Sequence, residues 1–325
     1  MKIIVLDDWA DGFRHLACFA RLKDHTVVIH HDTEKDPARL VARLNGNDAV
    51  ILTQERSAFP RSVIERLTSI KLVAQTGSHR HHIDFAACTE HGIAVAAPDR
   101  VGTGITTAEL TWALILASLR NIPHEVEQLK NGAWQTSLGT GLRSLTLGIY
   151  GLGGIGALVA QVGKAFGMRI ICWGRESSRE RITAAGYEMP ATREEFFRTA
   201  DILSLHIFSN EHTRNIISGA DLALMKPSAL LVNTSRARLI EEGALVAALK
   251  QGRPGRAAID VYEEEPIING DHPLLKLPNV ICTPHLGYAV TSSFEYLYGT
   301  AIDSILGFAA GKPVNVLNPE ALAKK

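Results

Sequence analysis

Leu145-Thr146-Leu147-Gly148-Ile149-Tyr150 runs without a break into Gly151-Leu152-Gly153-Gly154-Ile155-Gly156, and this stretch decides the fold. The first six residues have the apolar pattern of a buried strand, and residues 157–166 carry a helical pattern. A lone GxGxxG arises by chance because glycine is common. With a strand before it and a helix after it, the motif reads as the turn of a dinucleotide-binding βαβ unit. Gly151 allows the tight turn, Gly153 lets the backbone approach a pyrophosphate, and Gly156 lets the helix pack close to the strand. Gly154 and Ile155 are counted with them as cofactor-binding residues, and the N-terminus of the helix that follows faces the anion. The competing reading is a glycine-rich turn that holds no ligand.

Outward from this unit, short strand-like runs alternate with helical patterns along almost the whole chain, as parallel βαβ units require. Ahead of it, strands are expected at Lys2–Leu6, 26–30, Ala49–Leu52, 71–75 and 93–96, with helices at Pro37–Leu44, 61–67 and 83–91. Pro98-Asp99-Arg100 breaks the pattern. A helical stretch follows over 106–119 and a second runs to Lys130. Residues 132–143 are rich in Gly, Ser and Thr without periodicity and read as a surface loop. Behind the glycine motif, strands are expected at Arg169–Trp173, 202–206, Leu230–Asn233, 256–260 and 280–283, then a long helix over 291–311. The fold class is α/β, with two Rossmann-like doubly wound parallel-sheet domains.

A chain of 325 residues suits two domains better than one core. Its 34 Lys and Arg balance 34 Asp and Glu, so no global field draws nucleic acid or acidic lipid. The most apolar stretch, 112–119, is too short to span a membrane. The opening apolar run turns acidic at Asp7 and Asp8 and reads as a strand, not a signal peptide. Cys18, Cys88, Cys172 and Cys282 show neither CxxC nor metal-ligand spacing. Reduced thiols, a cytoplasmic location and no metal are therefore expected.

About twenty residues after the glycine motif, a strand-end carboxylate usually grips the adenosine ribose. Gly174 fills that place here, with Arg175 beside it and Arg179 near. Without the carboxylate nothing repels a 2′-phosphate, and Arg175 can pair with one. The cofactor expected is NAD or NADP, with a slight preference for NADP. Glu176 serves the ribose instead if the loop shifts by two residues.

Three motifs then stand at the ends of expected strands, where open α/β sheets place ligands. They are Asn233-Thr234-Ser235-Arg236, Asp260-Val261-Tyr262-Glu263-Glu264-Glu265-Pro266 and Thr283-Pro284-His285-Leu286-Gly287. Taken singly, each is an ordinary solvated charge or a structural histidine. A fixed guanidinium, however, holds an anionic 2-oxo acid and stabilises a developing alkoxide. Imidazole suits proton donation at neutral pH, and a neighbouring carboxylate favours its charged form.

In this order behind a GxGxxG, these residues resemble the D-isomer-specific 2-hydroxyacid dehydrogenase family over nearly the whole chain. The resemblance implies a flavodoxin-like substrate domain from residues 1–100 and 286–325, and an NAD(P)-binding Rossmann domain from 101–285. It implies hydride transfer between the nicotinamide and a small 2-oxo or D-2-hydroxy acid. Arg236 would bind the substrate carboxylate, His285 would be the general acid and base, and Glu265 would hydrogen-bond His285. Cofactor contacts would come from Thr107, His206, Thr234, Asp260, His285 and Gly287, besides the glycine motif, Gly174 and Arg175. A hinge is expected near 98–101 and 284–287, where the two βαβ series break. A homodimer is expected on the helices of 106–130, where Trp112, Leu114, Ile115, Leu116 and Leu119 make the stretch apolar nearly all round.

The chain departs from the family at its substrate loop, which reads Gly77-Ser78-His79-Arg80-His81-His82-Ile83-Asp84. Amides around Ser78 and His79 can still bind a carboxylate, although His79 replaces the second glycine. The crowded side chains leave three readings: a metal site, recognition of an extra anionic group, or simple solvation of the loop. Adjacent histidines lack metal-orienting spacing, which disfavours the first. Phosphoglycerate enzymes of the family use a basic pair after the third strand, where this chain reads Thr53-Gln54-Glu55-Arg56-Ser57. Arg56 alone keeps the charge, so a phosphoglycerate dehydrogenase-like substrate stays open beside other 2-oxo acids. From another class comes an NAD(H)-sensing corepressor-type binding protein of the same fold, for which no peptide tail or charged segment speaks. Formate chemistry would need Gln where Glu265 stands.

Overall fold

The structure, a computed structural model, describes residues 1–98 and 104–323. The chain divides into two compact units, one of Met1–Gly102 with Ala289–Lys325 and one of Thr103–Tyr288. Of the hinge expected near 98–101, all but Pro98 lies outside the described residues.

The first unit holds β1 (Lys2–Leu6), β2 (Thr26–Ile29), β3 (Ala49–Leu52), β4 (Leu72–Gln75) and β5 (Ala94–Ala96). They form one parallel sheet in the order β2-β1-β3-β4-β5. Side chains two apart share a face, so the strands feed two cores. Ile4, Leu6, Val50, Leu52 and Val73 pack on Leu40, Leu44 and Ile64. Ile3, Val5, Ile51 and Ala74 pack on Phe13 and on Tyr298, Ile302 and Ile305 of helix Thr291–Ala309. Strand order reverses between β1 and β3, and the crevice at their C-terminal ends is where such sheets hold ligands.

The second unit holds β6 (Thr146–Tyr150), β7 (Arg169–Trp173), β8 (Ile202–Leu205), β9 (Leu230–Asn233), β10 (Arg256–Ile259) and β11 (Val280–Cys282). These too are parallel, in the order β11-β10-β9-β8-β6-β7. One isolated bridge joins Ile171 of β7 to Glu188. Counting that residue as a vestigial strand, the unit has the doubly wound nucleotide-binding order, reversing between β6 and β8.

The expected strands over 202–206, 256–260 and 280–283 each end one residue early. The next residues, His206, Asp260 and Thr283, still donate their N–H groups to the carbonyls of Tyr150, Asn233 and Ile259 in the neighbouring strands, while the His206 side chain meets Ser204 and that of Thr283 donates to Asp260. The expected helices over 61–67 and 83–91 shorten to Arg61–Ile64 and Phe85–Glu90. Asp84 caps the second of these by accepting from the Ala87 N–H at 2.9 Å, which fixes its start.

The stretch over 106–130 needs a correction. Trp112, Leu114, Ile115 and Leu119 are buried, and Leu116 packs against the same cluster with Leu147, Ile149 and Val232 of the sheet. The apolar residues taken as spare surface are this unit's own core. The exposed apolar side chains lie further on: Ile122, Val126 and Leu129 of helix Ile122–Lys130, then Trp134 at 77% and Leu138 at 96% exposure. Among the described residues, no helix is long and apolar enough to cross a membrane.

Candidate functional site

The turn after β6 is shaped for a backbone-held anion. Gly151 has φ +98°, and a Cβ there would stand 2.6 Å from the His206 carbonyl oxygen at the end of β8. A Cβ on Gly156 would meet the Gly151 oxygen at 2.2 Å, so any side chain would push the helix off the strand. No atom lies within 4 Å of where a side chain on Gly153 or Gly154 would begin. Gly153 caps helix Gly154–Ala165 with no side-chain bond, which leaves the first N–H groups of a three-turn helix, Ile155 among them, to a ligand. The groove is open where a pyrophosphate needs room and closed where it does not. The residues fit a dinucleotide.

Beyond β7, Gly174 and Arg175 lead into a short 3-10 turn, with Arg175 exposed. Glu176 pairs with Arg179 at 2.6 Å on the surface, and that guanidinium holds its carboxyl below the ordinary value.

Arg236, Glu265 and His285 emerge from one edge of the sheet. β9, β10 and β11 are neighbours, and Asn233, Ile259 and Cys282 are in register across them. Glu265 accepts from the Tyr262 N–H at 2.9 Å through one oxygen and meets His285 Nδ1 at 2.6 Å through the other. With an ionised carboxylate there, Nδ1 carries the proton and Nε2 is the ring atom left for a substrate. His285 sits at φ +54°, a left-handed conformation that is uncommon for a residue with a side chain and recurs at functional sites. Arg236 is shaped by Asn233, whose amide donates to the Arg236 carbonyl at 3.0 Å and whose oxygen accepts the Ser235 N–H. The Arg236 Nη1 donates to the Ser235 carbonyl at 2.8 Å.

Asp260 is fully buried, and its environment gives it a part the sequence did not disclose. One oxygen accepts from Thr283 Oγ1 at 2.6 Å and from the Leu286 N–H at 2.7 Å. The other accepts from the Gly287 N–H at 3.0 Å. All three donors belong to the loop that carries His285, so Asp260 holds that loop. Its own burial pushes its carboxyl up from the ordinary range, against the lowering effect of these donors. Thr107 Oγ1 and Thr106 Oγ1 both donate to the Gly287 carbonyl, at 3.1 and 2.9 Å. Thr234 meets Thr111 hydroxyl to hydroxyl at 2.8 Å. Thr106 and Thr111 escaped the sequence reading, since a threonine in a helical pattern carries no signal of its own.

In the first unit, Gln75 Nε2 donates to the carbonyls of Gln54 and His79 and ties the loop over 77–84 to the strand before it. A Cβ on Gly77 would meet Gln54 Oε1 at 2.7 Å, so the Gln54 side chain lies over the Gly77 backbone. Ser78, His79 and Arg56 are partly exposed. His81 pairs with Glu55 at 2.9 Å. Among the described residues, the one trio close enough to share a metal ion is Asp8, Asp11 and His31. It carries its own cation, because Arg14 pairs with Asp11 at 2.5 Å, and Asp8 already accepts the Gly12 and Phe13 N–H groups.

Two histidines are set by burial. His82, whose ring nitrogens have no partner among the described residues, is pushed down from 6.5 to about 4 by lost solvation. His206, bonded to Ser204 Oγ at 2.9 Å, is pushed down to about 4 by the same cause. Both stay neutral in the folded chain where an unfolded histidine takes a proton. Stability is therefore full above the unfolded value and falls as pH drops from about 6.5 towards 4, by about 1.4 kcal/mol per unit for each ring. Urea midpoints at pH 7 and pH 5 test this, and equal midpoints would contradict it.

Comparison with known proteins agrees with the geometry. Residues 112–287 match the family described as D-isomer specific 2-hydroxyacid dehydrogenase, NAD binding domain. A glyoxylate reductase from Aeropyrum pernix is 39% identical over 270 residues, 80% of each chain. A D-3-phosphoglycerate dehydrogenase from Methanocaldococcus jannaschii is 41% identical over 78% of this chain but only 48% of its own length. A solved phosphoglycerate oxidoreductase from Vibrio cholerae superposes with a TM-score of 0.92 at 43% identity, covering 96% of this chain and 99% of that one. Relatives of this kind are enzymes, which disfavours the corepressor reading. The chain belongs to the D-isomer-specific 2-hydroxyacid dehydrogenase family and is a nicotinamide-dependent oxidoreductase.

Proposed function

We propose that the chain reduces a small 2-oxo acid to its D-2-hydroxy acid, with Arg236, Glu265 and His285 as the catalytic residues. The observation that carries this is the 2.6 Å pair of His285 Nδ1 and Glu265, on the same sheet edge as the Arg236 loop. Arg236 binds the substrate carboxylate and polarises the carbonyl, because a guanidinium fixed in place costs no reorganisation as charge develops. The nicotinamide supplies the hydride in reduction and accepts it in oxidation. His285 Nε2 gives a proton to the alkoxide oxygen and removes it in the reverse direction. Glu265 keeps Nδ1 protonated and the ring aimed. Gly151, Gly153, Gly154, Ile155 and Gly156 hold the pyrophosphate, while Thr107, His206, Thr234, Asp260 and Gly287 line or support the nicotinamide side. Gly77, Ser78, His79 and Arg56 contribute substrate contacts from the first unit. A screen of NADPH and NADH oxidation over glyoxylate, hydroxypyruvate, pyruvate, phenylpyruvate and phosphohydroxypyruvate tests the reading. No turnover on any of them would remove it.

The cofactor preference rests on the loop after β7. With Glu176 drawn to Arg179, nothing at Gly174 repels a 2′-phosphate, and Arg175 can add a charge-assisted bond. NADPH is expected ahead of NADH by a small factor. Gly174→Asp should move preference towards NADH by about one to two decades. Its Cβ would meet Ser178 Oγ at 3.2 Å, a contact the hydroxyl can relieve by rotating. Equal kinetic constants for the two cofactors before and after the change would show that this loop is not the selector.

A cytoplasmic homodimer fits the remaining observations. The buried Cys18, Cys88 and Cys172 are unpaired, and burial pushes each up to about 12, as suits structural thiols in a reducing compartment. Ile122, Val126 and Leu129 recur at helical spacing on an exposed face, and Trp134 and Leu138 follow in the next loop. Sedimentation at micromolar concentration should give a dimer, and Leu129→Glu with Leu138→Glu should give monomer. A wild-type monomer would remove the assembly.

A further inference from the structure

The loops after β3 and β4 stand at the C-terminal ends of the first sheet, where ligands are expected, and they are stitched into one base. The Phe59 N–H donates to the His82 carbonyl at 2.7 Å, and the Asp84 N–H donates to the Phe59 carbonyl at 2.9 Å. The Gln54 N–H donates to Thr76 Oγ1 at 3.0 Å, and Gln75 joins Gln54 to His79. Asp7, directly after β1, accepts from Ser57 Oγ at 2.7 Å and from Thr33 Oγ1, which ties the loops after β1 and β2 to the same base.

Arg80 rides on it. Its Nε donates to the Ser78 carbonyl at 3.0 Å, and its own carbonyl accepts the Ile83 N–H at 3.0 Å, so side chain and backbone are both placed. The residue is partly buried, yet its two Nη groups meet neither an acceptor nor a carboxylate among the described residues. The acids close in sequence are otherwise engaged: Glu55 pairs with His81 at 2.9 Å, and Asp84 caps its helix. Taking a guanidinium partly out of water without partners for its remaining N–H groups costs free energy that a bound anion returns. The main chain beside it is also open to an anion. The N–H groups of Gly77, Ser78 and Arg80 make no hydrogen bond among the described residues.

We infer that Arg80 sets the substrate class: it receives a second anionic group, carboxylate or phosphoryl, at the far end of the 2-oxo acid, while N–H groups of the same loop take the first. The inference rests on the proposed substrate contacts of Gly77 and Ser78 and deepens them. A planar guanidinium suits either group, since both offer two oxygens to its fork.

The test is steady-state kinetics of the full chain on two matched pairs, oxaloacetate against 2-oxobutyrate and phosphohydroxypyruvate against hydroxypyruvate, for wild type, Arg80→Gln and Arg80→Glu. Within each pair the readout is the ratio of kcat/KM values. A merely structural Arg80, holding the loop through Ser78, would lower both members together and leave the ratio alone. Wild type should favour the dianionic member of at least one pair by about tenfold, and the pair that shows it tells a carboxylate from a phosphoryl group. Arg80→Gln should cut that ratio by about ten- to a hundredfold, the worth of a charge-assisted hydrogen bond. Arg80→Glu should cut it further, because like charges repel. Preference for the neutral member in both pairs, an unmoved ratio in Arg80→Gln, or a ratio no lower in Arg80→Glu would each overturn the inference while the proposed function stood. Wild type inert on all four acids would remove the inference together with the proposed function beneath it.

Discussion

Replacing His285 by Ala should lower kcat by about two to four orders of magnitude, the usual worth of general acid catalysis, while leaving cofactor binding nearly intact. The two effects separate because the parts are built on different strands. His285 lies three residues past the end of β11, whereas the glycine turn follows β6. Alanine has a second consequence here, since the position is left-handed at φ +54° and alanine tolerates that conformation poorly. His285→Asn is the control, because asparagine adopts this backbone readily but cannot donate a proton as imidazolium does. Both variants should lose turnover alike, and titration of cofactor fluorescence should show near wild-type affinity in both. If His285→Asn kept more than about a tenth of the wild-type rate, the proton would come from elsewhere.

Glu265 gives a graded version of the same experiment. Glu265→Gln keeps an acceptor for the Tyr262 N–H or for His285 Nδ1 but removes the charge that favours imidazolium. Turnover should fall in this variant while cofactor affinity stays near the wild-type value, and an unchanged kcat would show that the charge of Glu265 is not needed.

The parts of the fold that were legible in the sequence are those where one signal had one cause. β1, β3, β6, β7 and β9 lie at the expected residues, because apolar runs bounded by Gly, Asp or Asn have few other uses. Helix Pro37–Leu44 starts as expected, with Asp36 capping the Arg39 N–H and proline in the first turn. Helices Arg193–Thr199 and Gly219–Leu224 went unassigned, although Thr192 and Ser218 cap them, because six or seven residues hold too few turns to show a period. Glu188 lies in a single bridge and left no run to read. The apolar stretch over 106–119 was legible as helix but not as to what covers it, since a unit's own core and a partner look the same in sequence.

The candidate site divides on the same line. Arg236, Glu265 and His285 could be found because chemistry demands those side-chain types in that order. Asp7 and Asp260 could not be read for what they do. Their partners are 50 residues away at Ser57, and 23 to 27 residues away at Thr283, Leu286 and Gly287, and only the folded sheet brings them together. A carboxylate that organises a loop looks the same in sequence as one that meets a ligand.

Asp260→Asn should therefore damage the enzyme in a way that a lost cofactor contact would not. Asn keeps the shape and can accept from Thr283 Oγ1 and the Leu286 N–H through its oxygen. Its NH2 would then face the Gly287 N–H, donor against donor, in a fully buried place. Leaving a buried N–H without an acceptor costs about 1–3 kcal/mol, and each kcal/mol lowers the Tm of a domain this size by about 2–4 °C. Turning the amide over does not escape the problem, because the Thr283 hydroxyl can then accept from the NH2 but the Leu286 N–H loses its acceptor. Relaxation of the loop displaces His285 from Glu265, and misplacing a catalytic group by about 1 Å can cost about a hundredfold in rate. The expected result is a lower Tm, a kcat reduced by one to two decades, and little change in the Kd for NADPH. A variant with wild-type Tm and kcat but weakened cofactor binding would place Asp260 in the cofactor site, and its hold on the His285 loop would not be what the enzyme needs from it.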